Sequence, residues 1–360
     1  MRDRLREVHR EIAPVVLNAK GKDVFARHRK CGVCRRETAG VELKLGRTGV
    51  ASFVGLVLCG SVWACPPCSY VICRKRAEEL RTVLTRHAAI GGGDCMLTLT
   101  TPHDLGDALK PMRQQTARAW RFVCSGNPWK RVRARYGIQF VRGAEVTHGA
   151  NGWHPHLHVV LLTRRPLSDA QQRELEGFFW RRWSRAITKP HKETGTQYRV
   201  PLEGVGARIT RLGREDYLAK LGLGDEVASA VTKSARPGHR TAFQILYDIW
   251  RAKGANAADI ALWREYVAEM QGAKQLTWSA GLRKRYALAE QTDLELVEAN
   301  LPDGPTVYAF SNQVWADFVA PHVERRIRLK QTAERYPLDE AADRIVRMLD
   351  RWAGLEPVPF

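Results

Sequence analysis

The chain has 360 residues, enough for two or three domains, and a hydrophobic content of 44% excludes disorder as its default state. Lys and Arg number 58 against 38 Asp and Glu, a formal charge of +20 spread along the whole length, so the partners it would attract are polyanions, nucleic acid first and an anionic membrane surface second. No window approaches the roughly 20 apolar residues of a membrane span, and the charged opening MRDRLREVHREIAPVV lacks the apolar core of a secretion signal; the expectation is no membrane partner and a cytoplasmic location, where thiols stay reduced or bind metal.

In chain order, six of the eight cysteines fall between Cys31 and Cys73, which marks a small module. RKRAEELRTVLTRHAAI then has helical periodicity and is stopped by Gly91 to Gly93. CMLTLTTPH is a short β-prone run, Leu105 to Cys124 a helix, and IQFVRGAEVTH and HLHVVLLT two further strands. SDAQQRELEGFFWRRWSRAI is an amphipathic helix with Ser168 as its cap, TQYRVPLEGVGARIT one or two strands, and GREDYLAKLG a short helix closed by Gly222. From about Thr241 helices dominate, with PTVYAFSNQVW as a possible late strand. This order predicts an α+β fold on a central antiparallel sheet flanked by helices, divided into an N-terminal zinc-binding module with its connecting helix (1–90), a central domain (91–235) and a mainly helical C-terminal region (236–360).

Cys31 and Cys34 form one CxxC, Cys65 and Cys68 another. Two such turns close a structural zinc site with four thiolates. Cys59 lies close enough to replace one member; otherwise it and Cys73 read as buried free thiols.

Residues 149–160, GANGWHPHLHVV, carry histidines at alternate positions. On a strand, residues two apart project to one side, so His156 and His158 present their rings together, and His154 joins them if Pro155 leaves the strand straight. Two imidazoles make half of a divalent metal site, and Glu145, at the end of the preceding strand, is the natural carboxylate to complete it. Amidohydrolases also carry HxH on a strand, but no later His and Asp ligands follow here.

HPHLHVVLL resembles the HUH motif, two histidines around a hydrophobic residue, of the HUH endonuclease superfamily. CMLTLTTPH resembles the apolar-Thr-Leu-Thr motif that precedes it in plasmid rolling-circle replication initiators, EDYLAKLG their Tyr-and-Lys motif, and CGSVWACPPC the cysteine segment of the Gram-positive and actinobacterial class. The resemblance spans about Cys31 to Gly222, in the family's order, and leaves the C-terminal third without a transferable motif.

The resemblance implies an HUH nuclease domain acting as a metal-dependent nickase and strand transferase of the single-tyrosine kind. Tyr217 would attack single-stranded DNA at a plasmid origin, expected to form a hairpin, producing a 5′-phosphotyrosine link and freeing a 3′-hydroxyl for a host polymerase and helicase. His156, His158 and Glu145, with His154 as third ligand or neighbour, would hold Mg or Mn, although imidazoles also suit Zn. Lys220, one helical turn after Tyr217, would stabilise the phenolate or the phosphate; Tyr198 is the rival nucleophile. A carboxylate one turn before the tyrosine is expected in this class, but Gly213 and Arg214 stand there, leaving Glu215 as the candidate to activate water at termination. Trp153 is a candidate base platform, and Arg181, Arg182 and Arg185, beside Trp180 and Trp183, a candidate phosphate track. A homodimer is open. The alternatives are a transposase with the same site, a relaxase, in which the tyrosine usually precedes the histidines, and a non-catalytic zinc-containing DNA-binding regulator.

Overall fold

A computed structural model describes residues 1–37, 39–191, 193–211, 213, 216–217, 221 and 238–354. Its strands, in chain order, are β1 (Val41–Leu45), β2 (Ala51–Val54), β3 (Gly93–Thr100), β4 (Gln139–Gly149), β5 (Gly152–Thr163), β6 (Ala207–Thr210), β7 (His239–Thr241), β8 (Leu276–Trp278) and β9 (Thr306–Phe310). The helices used below are α1 (Arg2–Ile12), α2 (Ala26–Lys30), α3 (Pro66–Ala89), α4 (Leu109–Val123), α5 (Gly126–Tyr136), α6 (Asp169–Ile187), α7 (Ala242–Arg251), α8 (Ala257–Met270), α9 (Leu282–Arg285), α10 (Asp293–Ala299), α11 (Val323–Arg335) and α12 (Leu338–Trp352). The protein is thus mixed α/β, with antiparallel sheets and helices, as its composition and periodicity lead one to expect. None of the described helices is long and apolar enough to cross a membrane.

The chain forms two compact units, residues 1–72 with 291–360, and residues 73–290. These are not the divisions expected at 90 and 235. The reason is strand pairing between distant segments, which local periodicity does not register: β9 pairs with β1, and β7 and β8 both pair with β4.

In the first unit, β2, β1 and β9 form a three-stranded antiparallel sheet in that order. Val41, Leu43, Val307 and Phe310 bury their side chains with Trp315 and Val319, and with Leu329, Ile345 and Leu349 of α11 and α12. Trp315 donates its indole N–H to the Val33 carbonyl at 2.8 Å. Polar ties fix α1 to α11: Arg4 pairs with Glu324 at 2.7 Å, and Glu7 with the buried Arg326.

In the second unit, the sheet order is β6-β3-β5-β4-β7, with β8 also on β4. The β4–β5 hairpin closes at Gly149 opposite Gly152, whose φ of +82° suits a residue without a Cβ. One face of this sheet carries Phe140 on β4, against which Trp120 of α4 and Trp129 of α5 pack at 5.0 and 6.5 Å between ring centres; Trp129 also meets Phe179 of α6 at 6.3 Å. Helix α4 turns Leu109, Met112, Thr116, Ala119, Trp120 and Val123 inward at helical spacing. Helix α6 starts with a capping box in which Ser168 and Gln171 bond reciprocally, as Ser168 led one to expect. Helix α5 was not expected, because Gly126 and Pro128 interrupt the pattern; proline fits a first helical turn, where no intrahelical N–H partner is needed. At the far end of β3 and β5, His87 donates from Nε2 to the carbonyl of Thr163 at 2.9 Å while its Nδ1 accepts from Tyr286 at 2.7 Å.

Trp183, fully buried on α6, donates its indole N–H to the Thr100 carbonyl at 2.7 Å, tying the helix layer to the end of β3. Replacing Trp183 by Phe removes that donor and is expected to cost about 1–3 kcal/mol. The check is a lower urea midpoint for the variant with an unchanged far-ultraviolet circular dichroism spectrum.

Candidate functional site

The sulfur atoms of Cys31, Cys59, Cys65 and Cys68 all lie within 4.8 Å of one another, a set that can hold a metal such as zinc. Cys31 stands 3.7 Å from Cys65 and from Cys68, and Cys59 stands 3.7 Å from Cys68. Those are the edges, about 3.8 Å, of a tetrahedron of thiolates around Zn at its usual bond length. Cys34, expected as a ligand, is not a member, and Cys59 takes its place. After Cys31 the chain turns at Gly32 (φ +68°) and enters a short antiparallel bridge, with Gly32 N–H on the Val57 carbonyl at 2.7 Å and Val57 N–H on the Cys34 carbonyl at 2.9 Å. The bridge uses Cys34 as backbone and leads its partner segment to the centre, where the Cys59 N–H donates to Cys31 Sγ at 3.3 Å. Gly60 (φ +64°) repeats the turn after Cys59. Cys73, buried beside Gln275, stays outside the set.

Hydrogen bonds from Cys59, Cys65 and Cys68 drive the Cys31 thiol well below its ordinary pKa, and Arg6 adds to the effect. Conversely, bonding to Cys31 pushes Cys59 and Cys65 well up. A divalent cation held by Cys31, Cys59, Cys65 and Cys68 would favour the thiolate form of all four. Arg6 stands beside the cluster. Burial works against its charge, but Asp3 at 2.8 Å and the thiols of Cys31 and Cys65 hold its pKa above the usual arginine value. A side chain at position 32 would collide with its guanidinium, which makes glycine necessary there for a second reason.

In the second unit, the β4–β5 register sets Glu145 opposite His156 and Gly143 opposite His158, while β3 sets Thr98 opposite His158 and Thr100 opposite His156. Directly opposed residues share a face. Glu145, His156 and His158 accordingly converge, with ligand atoms within 4.8 Å of one another. His158 Nε2 lies 2.8 Å from Glu145 Oε2, and His156 Nε2 contacts the same oxygen. On the far side of each ring, His156 Nδ1 faces the His154 carbonyl at 3.2 Å and His158 Nδ1 the Thr98 hydroxyl at 3.1 Å. When His156 Nδ1–H donates to that carbonyl, its Nε2 lone pair faces a carboxylate. Two acceptors in that arrangement need a proton or a cation between them, which is the chemistry of a metal pocket. Burial alone would raise the Glu145 pKa, but His156 and His158 hold it well below the usual carboxylate range. His154 is not in the converging set; its ring centre lies 5.0 Å from that of His156 and 4.6 Å from that of His103. Burial, then His156 and His103, lower its pKa to about 3, so it is neutral.

Leu221 covers Gly143: a Cβ at that glycine would stand 2.6 Å from Leu221 Cδ2 and 3.4 Å from its Cα. Gly143 lies on the face that carries Glu145 and the histidines. The Leu221 N–H donates to the Tyr217 carbonyl at 3.0 Å, so the Tyr217 backbone is one hydrogen bond away from the residue that covers Gly143. Tyr217 is buried, at 1% exposure. Lys220 and Glu215 lie outside the described residues. Tyr198 is buried too, its hydroxyl without a hydrogen-bond partner among the described residues, and burial with Asp107 raises its pKa, the wrong direction for a phenolate.

The chain is similar to Protein rep of Streptomyces lividans. The two are 27% identical over 74% of this chain and 72% of that protein. A neomycin resistance protein of Streptomyces cyanogenus is 30% identical over 48% of this chain and 49% of its own length. No family model matches the chain, and no solved structure does.

The DNA-contact candidates separate. Trp153 is 3% exposed, donates to Glu265 at 2.8 Å and stacks on Tyr266 at 6.0 Å, so it closes the sheet and leaves no ring face for a base. Its odd position puts it on the face opposite the histidines. Arg182 donates to the carbonyls of Val123 at 3.1 Å and Ser125 at 2.8 Å and covers Phe122, binding the end of α4. Arg181 and Arg185 are exposed. Thr98 and Gly143 belong to the site and were not singled out from sequence. Thr98 was detectable, because Thr98 and Thr100 repeat the two-residue period of His156 and His158.

The full-length protein is expected to retain zinc through gel filtration when Cys34 is replaced by Ser and to lose it when Cys59 is replaced by Ser. Elemental analysis of the two variants decides between the alternative ligand sets.

Proposed function

We propose that this protein is a replication initiator that nicks single-stranded DNA at a plasmid origin, with Tyr217 as nucleophile. The observation that carries the reading is the convergence of Glu145, His156 and His158 on one sheet face, where Leu221, hydrogen-bonded to the Tyr217 carbonyl, covers Gly143. The similarity to Protein rep of Streptomyces lividans and the charge of +20 support it. The motif order, apolar-Thr-Leu-Thr, then His-x-His, then Tyr, is that of HUH initiators.

In this mechanism the Tyr217 oxygen bonds to the scissile phosphorus, and the bond from phosphorus to the 3′-oxygen breaks. The phenol proton is lost and the departing 3′-oxygen gains one, so the products are a 5′-phosphotyrosine and a free 3′-hydroxyl, with no water consumed. A Mg or Mn ion held by His156, His158 and Glu145 would polarise the phosphate and offset its charge. Glu145 supplies the anionic ligand, and Thr98 and the His154 carbonyl orient the two rings. His154 acts as a neutral neighbour that screens the pocket. Lys220, in the family's position for it, would steady the phenolate, and Glu215 is the candidate for activating water at the end of the cycle. The zinc cluster is structural. A host helicase and DNA polymerase would use the exposed 3′-hydroxyl.

The test is a denaturing gel of the full chain incubated with single-stranded DNA of its origin and Mn. A covalent protein–DNA band is expected, with its loss in Tyr217→Phe and a reduction of at least about 100-fold in His156→Ala, the size of effect typical for removal of charge stabilisation at phosphate. A normal band in Tyr217→Phe would refute the assignment of the nucleophile. No band from the unaltered chain would favour the non-catalytic DNA-binding regulator, and the same chemistry on transposon ends rather than on an origin would favour the transposase.

A further inference from the structure

We propose that Arg208, on the edge strand β6, is the second phosphate-binding group of this site, clamping the scissile phosphodiester from the side opposite Glu145. This rests on the nuclease reading above and names a residue that no sequence motif marks.

The argument starts from register. Arg208 is directly opposite Thr98, and Thr98 is directly opposite His158, so the three stand in one row on one face. Two strand spacings separate Arg208 from His158, about 10 Å between Cα atoms. An arginine side chain spans most of that distance, and only the short Thr98 side chain lies between, with its hydroxyl already on His158 Nδ1 at 3.1 Å. The alternate residues of β6, Ala207 and Ile209, are buried on the other face, which fixes the direction of Arg208; it is exposed. Across the sheet, Glu145 and Leu221 lie on the β4 side of the histidine strand, and Arg208 rises on the β6 side.

Charge gives the second part. Other arginines of this unit have carboxylate partners: Arg199 pairs with Asp104 at 2.8 Å, and Arg211 with Asp169 at 3.0 Å. Arg208 has no carboxylate partner among the described residues. No ion pair among the described residues therefore holds its side chain away from the pocket. A divalent cation with one carboxylate ligand retains a single net positive charge, whereas a phosphodiester gains negative charge when attacked. A guanidinium with parallel donors matches two phosphate oxygens and supplies the missing charge.

The probe is thymidylyl-thymidine, which carries one phosphodiester, added to the zinc-loaded full chain with Mn. Mn-induced relaxation of its phosphorus resonance reports occupancy beside the metal, and electron paramagnetic resonance reports Mn binding separately. Arg208→Gln is expected to weaken the dinucleotide about tenfold, the effect of one charge-assisted pair, at unchanged Mn affinity, with Arg208→Lys between the two. Equal dinucleotide affinity in Arg208→Gln and the unaltered chain overturns the assignment of Arg208 while leaving the metal site intact. Loss of Mn binding in Arg208→Gln also overturns it, since the residue would then support the sheet. Absence of Mn-dependent relaxation in the unaltered chain removes the proposed metal–phosphate site itself, and Arg208 with it.

Discussion

The candidate site depends on one constraint, the register of β4 against β5. With Glu145 opposite His156 and Gly143 opposite His158, a carboxylate, two imidazoles and a gap for Leu221 share one face. Because side chains alternate, a slip of one residue would send Glu145 to the helix-covered face and bring Ala144 or Val146 to the histidines. The two-residue hairpin closed by Gly149 and Gly152 prevents that slip locally, and the aromatic packing of Phe140 on Trp120 and Trp129 resists it globally, since Phe140 must stay on the helix side. Core packing and metal-ligand geometry are therefore set by the same pairing.

Electrostatics in the two groups that could hold a metal follow one logic with different means. Around the cysteines, hydrogen bonds from Cys59, Cys65 and Cys68 favour the ionised form of Cys31, and the buried Arg6 adds to the effect. Around the histidines, an ionised Glu145 is held by two rings whose outer nitrogens are already occupied. In both, polar neighbours fix the ligands before any cation arrives, so little ordering is left for binding to accomplish. The soft tetrahedral sulfur set suits zinc, and the mixed nitrogen–oxygen set of three ligands suits a harder divalent ion.

How much of this was legible in sequence depended on the range of the interaction. The strand of His156 and His158 was legible because a two-residue period is local, and Glu145 followed from the short hairpin. The same period also puts Trp153 on the opposite face from His154, information present in the sequence that argues against a base platform. The pattern CxxC misled at Cys34, because it records spacing and not which segment pairs with the turn; the Cys-Gly pairs at Cys31 and Cys59, both with positive φ at the glycine, are the better sign. What no local pattern could reveal is that β7 and β8 join β4, or that β9 joins β1. Those pairings redraw the division of the chain, and Arg208 acquires meaning only once β6 is known to lie beside β3.

The place of β9 has a consequence for how the chain comes off the ribosome. Its partner β1 is made some 260 residues earlier, judged from the positions Val41–Leu45 and Thr306–Phe310, so the cysteine-bearing unit cannot complete its sheet until Phe310 has been made. During that interval one side of β1 has open backbone donors and acceptors, the condition that favours wrong partners in crowded nascent chains. The four cysteines of the cluster all lie within the first 72 residues. Early capture of zinc would thus give the waiting segment a fixed point during synthesis, before β9 arrives to finish the sheet.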